Sequence, residues 1–123
     1  MTTTINGTTG ITSPGLALTG GYTEGFYAIG NSGTSQTLSL SNGTFQTITM
    51  TGNCTFTMPT VTAGQSFTLL VSTGAGSFTG TFTGVKWPNN LAPTLTTTAS
   101  RWDVLTFISN GTSSVSYTHL TLP

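Results

Sequence analysis

The residues able to do chemistry are few and far apart. Glu24 and Asp103 are the only carboxylates, Lys86 and Arg101 the only strong cations, His119 the only imidazole and Cys54 the only thiol. Glycoside hydrolysis needs two carboxylates flanking one bond, and here most of the chain separates them. Asp103 follows Arg101 at the start of an apolar run, where alternate residues share a strand face, so the two are expected to pair structurally. A hydroxyl or thiol nucleophile needs a neighbouring base, and apart from His119 only Lys86 is on offer. Cys54 has no second thiol and is expected as a small buried hydrophobe. No Cys/His cluster has metal-ligand spacing, and "GAG" at 74–76 lacks the Lys and following helix of a phosphate loop. The sequence therefore predicts no enzyme, no metal and no cofactor.

Binding chemistry rests on rings and hydroxyls. Trp87, in "VKWPNN", and Trp102, in "SRWDV", are expected to close the ends of a core. Trp87 is the more reachable of the two, because Pro88, Asn89 and Asn90 place it beside a loop. An exposed Trp stacks on a sugar face, which makes Trp87, Asn89 and Asn90 the candidate glycan contact. Thr-x-Thr recurs at Thr55 and Thr57, at Thr79, Thr81 and Thr83, and at Thr94, Thr96 and Thr98. Such arrays on a solenoid could bind ice or a crystalline polymer, but the spacing shows no fixed repeat, which argues against a solenoid.

The elements that would position these residues read as strands. Short runs rich in Thr, Phe, Ile and Val, separated by Gly, Asn and Pro, fall at 26–30, 35–40, 44–50, 53–59, 66–72, 77–87 and 102–109. "NCTFTM" alternates Cys54, Phe56 and Met58 with polar neighbours, the mark of one buried face, whereas "WDVLTFIS" is apolar on both. "SNG" at 41–43 and "TGN" at 51–53 predict hairpins. No segment has helical periodicity. The expected fold is all-β, an antiparallel β-sandwich of jelly-roll type. Its expected core is Phe45, Ile48, Phe56, Met58, Phe67, Leu69, Val71, Phe82, Leu105 and Phe107, with Trp87 and Trp102. Residues 1–25, Gly-rich and without periodicity, read as a connector; 26–114 read as the module.

Charged residues make up 3% of the chain against 35% hydrophobic, with a formal net charge of +0, where about 25% charged is usual. A surface of hydroxyls and glycines creates no field to recruit nucleic acid or anionic lipid, and no run is long enough to span a bilayer. Without net charge to hold copies apart, the chain is expected to associate. The opening "MTTTINGTTG" lacks the basic and apolar regions of a signal peptide, so the chance N-x-Ser/Thr matches at Asn6, Asn42, Asn53 and Asn110 carry no weight.

One permitted DNA spelling of the closing "VSYTHLTLP" is GTC TCT TAT ACA CAT CTG ACG CTG CCG. That string resembles the transposase end and adjoining primer site used as an adapter in tagmentation sequencing libraries, over all nine residues and in one frame. Residues 115–123 are therefore expected to be foreign to the gene, which removes His119 and Tyr117 from any functional argument.

"GITSPGLALTGGYTEGFYAIG", "SNGTFQTITMTGNCTFTMP", "AGQSFTLLV" and "VKWPNNLAPTLTTTASRWDVLTFISNGT" together resemble modules of tail fibre and minor virion proteins of tailed bacteriophages, from about Gly10 to Thr112. The order "Trp-Pro", "APTL", "DVLTF" carries most of the likeness. The resemblance implies an uncharged β-rich module on a virion appendage, made in the host cytoplasm and built into the particle. Its implied partners are further copies of itself, a trimer among the options, other virion proteins and host surface polysaccharide. The family's Trp-Tyr-Gly-like strand after "SNGT" is missing here, at the point where the adapter-like tail begins.

Overall fold

The computed structural model describes residues 13–122, with side chains described as far as Ser114. Residues 13–25 are exposed and hold no strand. Nine strands follow: β1 (Phe26–Asn31), β2 (Ser35–Thr37), β3 (Phe45–Thr49), β4 (Cys54–Thr57), β5 (Ser66–Ser72), β6 (Gly80–Thr83), β7 (Val85–Lys86), β8 (Trp102–Ser109) and β9 (Ser114–Leu122). Helical geometry among the described residues is confined to two 3-10 turns, Leu40–Asn42 and Pro88–Asn90. The chain is all-β.

Two sheets result, one of six strands in the order β1-β3-β5-β8-β9-β7 and one of three in the order β2-β4-β6. From β1 to β6 the chain alternates between them, so β1–β2, β3–β4 and β5–β6 are three successive rungs. Each rung stacks in parallel on the last: Phe26 pairs with Phe45 and Phe45 with Thr68 in one sheet, Ser35 with Thr55 and Thr55 with Thr81 in the other. Only β5–β8 and β8–β9 are antiparallel, and short β7 runs parallel to β9.

The antiparallel arrangement expected from sequence is thus corrected to mixed sheets. Side-chain alternation has the same period in both kinds of pairing, so it could not distinguish them. The turns decide. "SNG" and "TGN" do not close hairpins; they carry the chain from one sheet to the other. Gly43, at φ +128, lies against the carbonyl of Gly25 in the rung before, with Phe45 N donating to that carbonyl at 3.0 Å. Gly74, at φ +58, packs on the carbonyl of Met50 in the same way. A Cβ at either corner would collide with backbone, so glycine is what lets one rung sit directly on another. The argument against a solenoid is corrected as well. Rung lengths differ because loops of unequal length leave the corners, which hides the repeat without preventing the stacking.

Inward residues of the two sheets meet in one core: Ile48, Met50, Phe67, Leu69, Val71, Leu105 and Phe107 against Leu38, Cys54, Phe56 and Phe82, with Leu95 added from the segment before β8. Phe56 stacks on Phe82 at 4.7 Å and Phe67 on Phe107 at 4.8 Å, while Phe82 and Phe107, 6.0 Å apart, join the two stacks. Eight of the expected core residues are buried: Ile48, Phe56, Phe67, Leu69, Val71, Phe82, Leu105 and Phe107. Met58 and Trp87 are half-buried against the core, and Phe45 is half-buried with its ring 5.9 Å from that of Phe26. Trp102 is a correction. It is 39% exposed, because Asp103, Leu105 and Phe107 take the inward positions of β8 and leave Trp102 on the opposite face. The expected single strand at 77–87 is two, β6 and β7, broken at Gly84 with φ +80.

Candidate functional site

Asp103 is 0% exposed, one of four charged side chains and set among hydrophobic ones. Its carboxylate accepts from Thr96 N at 2.7 Å and from Thr96 Oγ1 at 2.6 Å. A buried carboxylate is tolerable only when its lone pairs meet donors, and Thr96 supplies two from one residue. The consequence is mechanical. The segment from Leu91 to Ser100 is strapped across the end of the core, and Leu95 plugs it so closely that a Cβ on Gly80 would stand 2.8 Å from Leu95 Cδ1. Buried Thr73 holds the far half of the strap, its hydroxyl donating to Thr98 O at 2.7 Å and accepting from Arg101 N at 2.9 Å. Arg101 itself is exposed while Asp103 is enclosed.

Glu24, the other carboxylate, is at the surface, its Oε2 accepting from Thr44 Oγ1 at 2.8 Å. It lines a cleft of about 430 Å³ with Tyr22, Thr23, Phe26 and Phe45. Asp103 lines no part of this cleft, so the two acids share no site there. A second cleft of about 430 Å³ is walled by the apolar Met58, Pro59 and Val61 together with hydroxyl-bearing Thr57, Thr60, Thr83 and Thr112. Cys54 is buried; burial pushes its thiol above the ordinary value, partly offset by hydrogen bonding at Ser32. The thiol donates to Ser32 O at 3.8 Å.

The candidate glycan residues sit together at the start of the strap. Trp87 presents edges to Phe82 at 5.9 Å and to Phe107 at 6.1 Å, so part of its ring surface is spent on the core. Asn89 and Asn90 are exposed, at φ +55 and +57 in the turn that follows. The glycan reading thus acquires an adjacent set of groups with only a partly open ring. His119 lies opposite Leu105 in the β8–β9 ladder, and its side chain and that of Tyr117 are outside the described residues.

Sequence reasoning missed two things here. Asp103 as a strap anchor was legible in parity, since 103, 105 and 107 share a face and two of them are core. Leu95 gave no signal, because "APTLTTT" has neither strand nor helix periodicity and its burial is imposed by the strap. No family model matches this sequence, and no curated protein or solved structure matches it either.

Proposed function

We propose that this chain is a non-enzymatic structural module of a tailed-bacteriophage appendage, of tail-fibre type, located on the virion and serving in assembly and host attachment. On this reading the two sheets serve as the layers of a small sandwich, followed along a rung-wise path. The observation that carries the reading is the chemistry of the outer sheet faces. Among the described side chains, outward positions of the large sheet hold Phe26, Phe45, Leu70, Val104, Trp102 and Ile108 among threonines, with Lys86 of β7 the one charge, and those of the small sheet hold only Ser and Thr. An outer face of the large sheet rich in apolar side chains, in a chain without net charge, favours packing of that face against further copies and against other virion proteins. Antibody raised against the recombinant module and coupled to gold should decorate tail appendages of the particles that carry the gene; labelling confined to host cytoplasm or envelope would remove the reading.

A second reading, carbohydrate binding, is favoured by half-buried Trp87 beside exposed Asn89 and Asn90, which stand outside the linings of both clefts. It predicts saturable binding to host polysaccharide that Trp87→Ala abolishes while the domain stays folded. The reading of residues 115–123 as adapter is tested by sequencing the gene past codon 114. On that reading, the backbone groups along β8 would accept any chain able to extend beside them.

A further inference from the structure

The outer face of the small sheet is a lattice of hydroxyls. Register sets Ser35 beside Thr55 and Thr55 beside Thr81; two residues on, Thr37 lies beside Thr57 and Thr57 beside Thr83. All six residues are exposed, while Cys54, Phe56 and Phe82 between them turn into the core. Because the strands are parallel and the rungs stack without slip, the six form two ranks of three. Neighbouring strands lie about 4.8 Å apart and same-face residues about 6.6 Å apart along a strand. Sequence spacing conceals this lattice, since unequal loops separate its three strands.

The geometry points to a surface that binds ice. Thr is stiff at χ1, and Thr83 is fixed further by donating from Oγ1 to Phe56 O at 3.0 Å. A rigid face loses little side-chain entropy when it meets a rigid partner. Hydroxyls at all six positions, with methyls at the five threonines, at a fixed two-dimensional repeat hold water in that repeat, and such water can join a growing crystal. The same chemistry disfavours other occupants. A sugar presents a C–H face that seeks an aromatic ring, and none of the six is aromatic; an ionic ligand would find no charge. This inference rests on the register of the small sheet and is independent of the appendage reading.

The test is ice recrystallisation measured with the full chain in a dilution series. The chain should suppress crystal coarsening, and Thr55→Lys, at the middle of the lattice, should raise the concentration required by about tenfold or more, a loss of about 1.4 kcal/mol of binding. Thr47→Lys, on the outer face of the other sheet, should leave suppression unchanged. Circular dichroism checks that each variant is folded, with Thr81→Lys on the edge strand replacing Thr55→Lys if the latter misfolds. No suppression by the unaltered chain, or equal suppression by lattice variants that remain folded, overturns the proposal. Retention on crystalline cellulose or chitin without any effect on ice would reassign the face to a polysaccharide lattice.

Discussion

Replacing Asp103 tests whether the strap is held as described. In Asp103→Ala the Thr96 N–H and hydroxyl lose the acceptors they meet at 2.7 and 2.6 Å. Hydrogen bonds to a charged group contribute about 1.5–3 kcal/mol each. Part of that returns as the freed donors reach water or the strap lifts, and lifting it exposes Leu95, now 3% exposed. A net loss of about 3–5 kcal/mol is expected, a large share of the roughly 5–15 kcal/mol that stabilises a domain. Asp103→Asn should cost less, about 1–2 kcal/mol, because its amide oxygen still accepts from Thr96 N while its NH₂ donates to Thr96 Oγ1, at the strength of neutral bonds. Urea denaturation followed by far-ultraviolet circular dichroism gives both values from the midpoints and slopes. A loss under about 1 kcal/mol for the Ala variant, or equal losses for the two, would refute the idea that this carboxylate anchors the strap.

Other consequences follow from the core and its edges. Phe107 touches both ring stacks and Trp87, so Phe107→Ala should cost about 3–5 kcal/mol in the same urea assay; Phe67→Ala belongs in that range too, and a loss below about 1 kcal/mol would put the ring outside the core. In acrylamide quenching, the emission of Trp102 should be the accessible component, so Trp102→Phe should lower the quenching constant more than Trp87→Phe does. The Cys54 thiol is raised in the folded state, so above the unfolded value of about 8.5 the unfolded chain gives up its proton first. Stability is then expected to be independent of this group below that pH and to fall as pH rises toward the folded value. Cys54→Ala should remove that part of the alkaline slope, and an unchanged slope would contradict it.

How far the sequence could be read depended on what alternation encodes. It encodes faces, and the inward sets of β4 and β5 were visible as every second residue in "NCTFTM" and "SFTLLVS", whereas "WDVLTFIS", apolar on both faces, left the inward set of β8 open. It does not encode direction, so parallel rungs and antiparallel hairpins looked alike until corner geometry separated them. Gly43 and Gly74 serve as rung corners because the previous rung lies against them, a long-range fact with no local signature. Trp102 was misplaced when size was weighed above parity: Asp103 is inside and Trp102 outside because of their position along β8, against the preference of each side chain. The hydroxyl lattice was visible as separate Thr-x-Thr pairs, and only the register of β2, β4 and β6 brought them together.

The measurement that tests the central claim most directly is a cross-strand NOE map of the labelled chain in solution, because stacking, strap and outer faces all rest on parallel rungs. The account predicts backbone contacts between Ser35 and Thr55, between Thr55 and Thr81, and between Phe45 and Thr68. Contacts pairing β3 with β4 across "TGN", as an antiparallel hairpin requires, would contradict it.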